Sequence, residues 1–294
     1  MTTSIKATTN NTRYPLGLSS YILSTPFSDT SLHEFAHVRE LGYDQFEICV
    51  DDPDTLSSAL TRSAAEESGL SVAVTGAFGP SRDISHEDPA VQRNAKDYLR
   101  AVVDFAAAVD SPYVAGPMFT AVAVKLLQTP QERHRQLQRA AGNLREIADY
   151  AGERDVKLAM EPLNRFETHL INTVEQALEL IELVDAPNIG MVLDTFHMNI
   201  EEKDLGAAIR LAGDRVFAFQ ASENDRGTPG SGNIDWPSLW TALDDIDYAG
   251  TVVVESFIAT TEIAHIGGLW RPVAASMEQL AIDALAFLRD ELRV

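Results

Sequence analysis

The chain has 294 residues, of which 45% are hydrophobic and 23% charged, the composition of an ordinary globular protein with a sizeable core. Disordered and fibrous proteins are thereby excluded. The 44 acidic residues outnumber the 23 Lys and Arg residues, and the net charge of −21 disfavours sequence-independent binding to the phosphates of nucleic acid.

The single cysteine and the start of the chain limit the cellular context. Cys49 alone excludes a disulfide framework and a cysteine-based zinc site, and it fits a reducing cytoplasm. No stretch approaches the ~18 apolar residues of a membrane span. Residues 1–13 are rich in Thr and Asn and lack the apolar segment of a signal peptide. We therefore expect a cytoplasmic protein with no membrane partner and a flexible tail over residues 1–13.

Beyond this tail, short apolar or β-branched runs alternate with longer amphipathic stretches, which is the pattern of parallel strands joined by helices. Strands are predicted, in chain order, at Leu16–Tyr21, Gln45–Val50, Ser71–Gly76, Tyr113–Gly116, Val156–Glu161, Gly190–Asp194, Val216–Ala221 and Thr251–Glu255. Helices are predicted after them at Ser31–Leu41, Asp54–Ser68, Pro89–Val109, Pro130–Glu153, Thr173–Val184, Lys203–Ala212, Trp236–Asp245 and Ser276–Leu292.

The number of these units predicts the architecture. Eight strand-then-helix units fill residues 14–294 without a linker or a change of composition. This arrangement favours a single (β/α)₈ barrel of the α/β class over an open sheet with a second domain. Asp54, Thr173 and Asp235 stand where side chains commonly cap the first turn of a helix.

Four consecutive predicted strands each run into a side chain that carries oxygen: Glu161, Asp194, Gln220 and Glu255. In a (β/α)₈ barrel the C-terminal ends of the strands meet at one face, where active sites are built. A polar strand end that simply faces water is the alternative for each residue, but Asp and Glu are depleted in strands. Three converging carboxylates would repel one another unless a cation lay between them. An all-oxygen ligand set favours Mn²⁺ or Mg²⁺, with Co²⁺ tolerated.

Four motifs surround these strand ends: Glu161-Pro-Leu-Asn-Arg-Phe-Glu167, Leu193-Asp-Thr-Phe-His-Met-Asn199, Ser222-Glu-Asn-Asp-Arg226 with its following glycine-rich turn, and Val254-Glu-Ser-Phe257. Together they resemble the ketose 3-epimerases, of the D-tagatose and D-psicose 3-epimerase type, within the sugar isomerase/epimerase barrel superfamily. The resemblance extends from about residue 14 and is strongest between residues 156 and 257.

The resemblance implies one divalent ion, with Mn²⁺ expected, held by Glu161, Asp194, Gln220 and Glu255. It also implies that Glu161 and Glu255 act in proton transfer. The chain departs from the epimerase pattern at one position, because those enzymes offer histidine on strand seven where Gln220 stands. Hydroxypyruvate isomerases and some 3-dehydroshikimate dehydratases of the superfamily resemble this chain in offering glutamine there.

The same resemblance implies that His197 and Arg226 contact substrate oxygens and that Glu167 reaches a substrate hydroxyl. From the residues alone, His197 has the alternative of an ordinary surface histidine. Arg226 has the alternative of pairing with Asp225 or Glu223, although a guanidinium beside a metal site is a natural clamp for a sugar oxygen.

These residues predict chemistry on an α-hydroxy ketone. A metal ion would polarise the carbonyl and stabilise an enediolate. One glutamate would remove the α-proton, and the other would return a proton to the opposite face. The leading hypothesis is therefore an epimerase or isomerase of a non-phosphorylated keto-sugar, with a homo-oligomer as an open alternative to a monomer.

A lyase of the same fold is the alternative, because the enediolate would expel a leaving group placed β to the carbonyl. Such an enzyme would dehydrate a cyclic keto-acid such as 3-dehydroshikimate. It could instead cleave 3-keto-glycosides, as the catalytic subunit of a C-glycoside deglycosidase does with a small accessory subunit. The loop containing Trp270 and Arg271 would then be a lid or a subunit contact.

Two further classes fit less well. The apurinic-site endonucleases share the barrel, but they resemble one another in a histidine-rich metal cluster and need a basic face for DNA, whereas this chain has a net charge of −21. A non-catalytic sugar-binding barrel would bind a ligand without turnover.

Overall fold

The computed structural model describes residues 12–294, and within them eight parallel strands close into a barrel. Each strand pairs with its neighbour in sequence, and the first also pairs with the last, with Gly17 opposite Val253. The predicted (β/α)₈ barrel is confirmed. The strands are β1 (Leu16–Ser19), β2 (Gln45–Val50), β3 (Ser71–Gly76), β4 (Tyr113–Gly116), β5 (Lys157–Met160), β6 (Ile189–Asp194), β7 (Val216–Ala221) and β8 (Val252–Val254).

Residues 12–294 also contain ten α-helices, eight of which correspond to predicted ones. They are α1 (Glu34–Leu41), α2 (Ser58–Ser68), α3 (Pro89–Ala108), α4 (Pro130–Gly152), α5 (Val174–Val184), α6 (Thr195–Glu201), α7 (Leu205–Ala212), α8 (Trp236–Asp245), α9 (Glu262–Ile266) and α10 (Met277–Glu291). Helices α6 and α9 were not predicted, because seven and five residues are too few to show a helical period.

The ends of three strands differ from the prediction. β1 ends at Ser19, and the next three residues form a short 3₁₀ turn. β5 and β8 end one residue before Glu161 and Glu255, so both glutamates are the first residues of the following loops. This places them on the segments that build the active face of such barrels.

Of the three predicted helix caps, one is confirmed. The Thr173 side chain accepts a hydrogen bond from the Gln176 amide at the start of α5. Asp54 does not cap α2, because Ser57 lies closer to the first turn and accepts from the Leu60 amide instead. Asp235 precedes α8, but its side chain makes no capping hydrogen bond.

Successive strand residues face opposite sides of the barrel wall and form two separate apolar layers. Residues such as Val72 and Val74 of β3 belong to the large core between the strands and the helices. Ala73 between them belongs to a small inner cluster that consists of Ala73, Tyr113, Ala115, Ala159, Val192 and Ala218. Because most of these inner side chains are small, the barrel interior has room for the Tyr113 ring and for polar side chains below the active face.

The predicted tail, residues 1–13, lies outside the described residues except for Thr12 and Arg13. Thr12 forms an antiparallel bridge with Arg293, and the Arg13 amide donates to the Leu292 carbonyl at 2.8 Å. These two residues therefore connect the start of the barrel to its C-terminus. In the described part of the chain, no helix is both long and apolar enough to cross a membrane.

Cys49 is buried in β2 and carries a free thiol. The Tyr21 hydroxyl donates a hydrogen bond to its sulfur at 2.9 Å. Burial raises the pKa of the Cys49 thiol to about 12, against a smaller lowering by the Tyr21 hydrogen bond. Although it lies near the barrel mouth, this cysteine is predicted to be a poor nucleophile.

Backbone crowding at Gly190 gives a first prediction. A Cβ at this position of β6 would lie 2.5 Å from the Arg215 carbonyl oxygen and 2.7 Å from the Phe217 ring. We expect Gly190→Ala to lower the free energy of unfolding by about 1–3 kcal/mol. The matched control Gly142→Ala, in α4 with nothing within 4 Å of the new Cβ, is expected to raise it by up to about 1 kcal/mol. Urea unfolding of both variants measures this, and equal stability would contradict the packing of β6 against β7.

The pKa of Cys49 gives a second prediction, which is clean because the chain has no other cysteine. At pH 8 a pKa of about 12 in place of 9 lowers the thiolate population by about a thousandfold. Iodoacetamide should therefore label the native protein about a thousandfold more slowly than the same protein in urea. Mass spectrometry follows the single adduct, and native labelling within tenfold of the unfolded rate would show that the thiol is accessible and ionised.

Candidate active site

The four residues predicted to end strands lie together at the C-terminal mouth of the barrel. Glu161 follows β5, Asp194 ends β6, Gln220 lies in β7 and Glu255 follows β8. All four side chains are buried. Asp194 also begins α6, because its side chain accepts a hydrogen bond from the Phe196 amide at 2.8 Å. The barrel therefore brings the four strand-end residues to one mouth, where Gln220 contacts Glu255 at 3.2 Å and Arg226 links Asp194 to Glu255.

Arg226 lies at the centre of this group and is almost completely buried. Its Nη1 donates to Asp194 Oδ2 and to Glu255 Oε2, the latter at 2.9 Å. The guanidinium carbon lies 4.2 Å from the Phe196 ring centroid and 4.8 Å from that of Phe257. Burial alone would lower the pKa of Arg226, but the Asp194 and Glu255 carboxylates outweigh it and raise the pKa. Arg226 therefore stays charged.

The partners of Arg226 differ from those considered on the sequence. Asp225 pairs with Arg271 at 3.4 Å instead. The Glu223 side chain points into its own loop, where its two oxygens accept hydrogen bonds from five donors: the amides of Asn224, Gly230, Asn233 and Ile234 and the indole of Trp236. The Glu223 carbonyl accepts the Arg226 amide at 2.9 Å.

Glu223 is a residue whose role the sequence did not reveal. It fixes the glycine-rich segment from Gly227 to Gly232 as the predicted turn before α8. By doing so it supports Arg226 in a left-handed backbone conformation, with φ at 66°. Such a conformation is costly for a residue with a side chain and persists only where the surroundings enforce it.

His197 lies in the first turn of α6 and is buried. Its Nδ1 accepts the backbone amide of Asn164 at 3.1 Å, and its Nε2 lies 3.5 Å from Glu161 Oε1. Burial lowers the pKa of His197, although the neighbouring Glu167 carboxylate acts in the opposite direction. The lowered pKa favours the neutral ring, whose Nε2 lies 2.8 Å from Nη2 of the Arg226 guanidinium.

Asn164 connects Glu167 to His197 through hydrogen bonds. The Asn164 side-chain amide donates to Glu167 Oε1 at 2.7 Å, and that oxygen lies 3.9 Å from His197 Nδ1. Asn164 thus positions both predicted substrate-contacting residues of this side, a role that the sequence did not indicate.

The carboxylates of the site differ in charge. Burial raises the pKa of Glu161 well above its ordinary range, and the nearby Asp194 charge raises it further. Burial likewise raises the pKa of Glu255 well above the ordinary range, with Arg226 acting in the opposite direction. Burial would also raise the pKa of Asp194, but the positive charge of Arg226 outweighs it and the pKa is lowered. Asp194 therefore favours the ionised form, whereas Glu161 and Glu255 resist ionisation unless a further cation lies beside them.

Gln220 connects the mouth to the barrel interior. Its Nε2 donates to Glu255 Oε1 at 3.2 Å and to Glu47 Oε1 at 2.7 Å. Glu47 lies in β2 and is completely buried. The pKa of Glu47 is raised to about 7. Burial causes the rise, and the hydrogen bonds from Gln220 and Tyr113 make it smaller than burial alone would.

The donor set fits a hard divalent cation. Among the described residues, Glu161, Asp194 and His197 offer ligand atoms that all lie within 4.8 Å of one another. Gln220 Oε1 is buried and has no hydrogen-bond partner in the described chain, which is a costly state that an ion would relieve. Carboxylate and amide oxygens are the ligands that Mg²⁺ and Mn²⁺ prefer.

A cavity of about 930 Å³ opens above these residues, a size suited to a small-molecule ligand. Its walls include the five candidate residues Glu161, Glu167, His197, Arg226 and Glu255. The described lining of this cavity does not include Asp194 or Gln220. The loop containing Trp270 and Arg271 borders a smaller cavity of about 310 Å³ beside Phe196 and Arg226.

Comparison with known proteins identifies relatives of the same fold. A family model described as xylose isomerase-like TIM barrel matches residues 35–291. A probable ketose 3-epimerase of Synechocystis sp. is 34% identical over 274 residues, 93% of this chain and 95% of the relative. The ketose 3-epimerase of Arthrobacter globiformis is 32% identical over 257 residues, 86% of this chain and 88% of the relative. The solved structure of an L-ribulose 3-epimerase aligns with a TM-score of 0.89 at 31% identity, covering 95% of this chain and 94% of that one.

The motif resemblance is therefore confirmed. The fold, the matched residues and the similarity to named epimerases agree, and the chain belongs to the xylose isomerase-like TIM barrel family.

Proposed function

We propose that the chain is a divalent-metal-dependent epimerase that inverts a carbon next to the carbonyl of a non-phosphorylated keto-sugar. The observation that carries the proposal is the pair of buried glutamates, Glu161 and Glu255, that line one cavity together with His197 and Arg226. The ketose 3-epimerases among its relatives support the same activity.

The charges of the cavity support a substrate without a phosphate group. The two arginines of its described lining are already paired, Arg82 with Asp51 at 2.8 Å and Arg226 with two carboxylates. A phosphate would therefore meet carboxylates without a free cation to balance it.

We assign the metal ligands to oxygen atoms of Glu161, Asp194, Gln220 and Glu255, with Mn²⁺ as the expected ion. His197 lies close to this set, but its Nε2 is in contact with Arg226 Nη2 at 2.8 Å. We therefore assign His197 to contacts with substrate oxygens and not to the ligand set. When bound, the ion would polarise the substrate carbonyl and lower the energy of the enediolate.

We assign the two glutamates to proton transfer on opposite faces of a substrate carbon. They follow β5 and β8, and β6 and β7 lie between these strands around the barrel, so Glu161 and Glu255 reach the mouth from different sides. The raised pKa of each carboxyl favours its protonated form over that of an exposed glutamate, which suits a group that exchanges a proton with substrate.

The remaining residues orient the sugar. His197 contacts one substrate oxygen, and the Arg226 guanidinium, which lies between two aromatic rings, donates to another. Glu167 accepts from a substrate hydroxyl. A homo-oligomeric state and a cytoplasmic location stay predictions.

Proton exchange tests the reaction class. The Mn²⁺-loaded protein is incubated in heavy water with D-psicose, D-tagatose or L-ribulose, and separately with a 3-keto-glycoside. We expect recovered and epimerised ketose to carry one deuterium on the inverted carbon, because the returned proton comes from a glutamate that exchanges with solvent. Mass spectrometry and NMR locate the label. An unsaturated product, or a leaving group released from a 3-keto-glycoside without any epimer, would instead establish the lyase alternative.

Substitution of the glutamates tests their roles. Glu161→Gln and Glu255→Gln should each reduce kcat by at least about a hundredfold, because an amide cannot transfer the proton but still offers an oxygen ligand. The matched control Glu153→Gln changes a surface glutamate whose side chain is 77% exposed and should leave kcat unchanged. Metal content is measured in every variant. Unchanged turnover in Glu255→Gln would refute the assignment.

A further inference from the structure

Glu47 is a buried acid to which the proposed reaction gives no role. It lies in the middle of β2 inside the barrel, below the candidate ligands, and is 0% exposed. Its Oε1 accepts from Gln220 Nε2 at 2.7 Å, and its Oε2 accepts from the Tyr113 hydroxyl at 3.2 Å. A carboxylate in this environment is costly to bury. Its shortest hydrogen bond connects it to one residue of the candidate site, Gln220.

These contacts determine which way the Gln220 amide faces. Its Nε2 donates on one side to Glu47 Oε1 and on the other to Glu255 Oε1. A rotation of the amide by half a turn would place the amide oxygen against two carboxylate oxygens. It would also break both hydrogen bonds that Nε2 now donates. The observed orientation is therefore strongly favoured, and it leaves Oε1 as the buried atom without a partner in the described chain.

We propose that Glu47 is a positioning residue, which accepts the Gln220 NH₂ group so that the amide oxygen faces the metal ion held by Glu161, Asp194 and Glu255. The inference rests on the proposed function, since it presumes that an ion binds there. An amide can present oxygen or NH₂ to a neighbour, and only the oxygen can bind a cation. Glu255 alone provides one acceptor, at the longer distance of 3.2 Å. Glu47 supplies the second and shorter contact.

The test compares three proteins by their affinity for Mn²⁺, measured by calorimetry and by electron paramagnetic resonance of the free ion. Glu47→Leu keeps a similar side-chain volume but removes the acceptor, and it should weaken Mn²⁺ binding by about 10–100-fold, as loss of a supporting contact behind a metal ligand commonly does. Glu47→Gln removes the charge but keeps an oxygen acceptor for Gln220, and it should bind Mn²⁺ within about threefold of wild type. Circular dichroism and thermal unfolding confirm the fold of each variant.

A double-mutant cycle separates positioning from long-range charge. In a Gln220→Ala background, where Glu47 has no amide to orient, adding Glu47→Leu should cause no further loss of Mn²⁺ affinity. A further tenfold loss in that background would overturn the inference. Equal weakening by Glu47→Gln and Glu47→Leu in the wild-type background would also overturn it, because the charge alone would then explain both.

The outcomes distinguish this inference from the proposed function. Wild-type protein that binds no Mn²⁺ overturns the proposed function and this inference with it. Wild-type binding together with an unchanged affinity in Glu47→Leu overturns the positioning role alone. If Glu47→Leu does not fold, Glu47→Met provides the same measurement with a more flexible apolar side chain.

Discussion

The structure of the barrel mouth depends on one constraint, which is that several carboxylates are buried beside one another and must be neutralised. Asp194 and Glu255 share the guanidinium of Arg226, while Glu161 lies close to both and resists ionisation. Removing any of these groups from water is costly unless opposite charge or hydrogen bonds replace the water. Arg226 balances part of the negative charge, and a divalent ion would balance the remainder. The net charge of −21 disfavours sequence-independent binding to nucleic acid, whereas these few buried charges define a specific site.

Residues on neighbouring strands and loops hold the charged groups of the mouth in position through hydrogen bonds. Glu223 gathers five donors and so holds the turn that carries Arg226 in a strained backbone conformation. Asn164 links the loop after β5 to His197 and Glu167. Below the mouth, small inner side chains leave room for Tyr113 and Glu47, whose hydrogen bonds reach Gln220. The candidate ligands and substrate contacts thus rest on polar groups supplied by other strands and loops.

The sequence predicted the eight strands and the four residues at their ends because both depend on local patterns. Apolar runs identify strands, and closure of a parallel barrel brings their C-terminal ends together without any knowledge of side-chain contacts. The partners of these residues could not be predicted in the same way. Glu47 and Gln220 are 173 positions apart, and nothing in the local pattern of β2 joins them. Likewise Arg226 has acidic neighbours in sequence, yet its partners come from β6 and from the loop after β8. The cap predicted at Asp54 was wrong because a better placed serine lay three residues further on.

The central claim is that an oxygen-ligated cation balances the acidic mouth of the barrel. Anomalous diffraction from crystals of the wild-type protein grown with Mn²⁺ tests it most directly, because the ion is located independently of any assumed ligand. We expect one strong anomalous peak coordinated by oxygens of Glu161, Asp194, Gln220 and Glu255, with His197 Nε2 outside the coordination sphere. A peak coordinated by His197 with Gln220 remote from it, or no peak at the mouth at saturating Mn²⁺, would contradict this assignment.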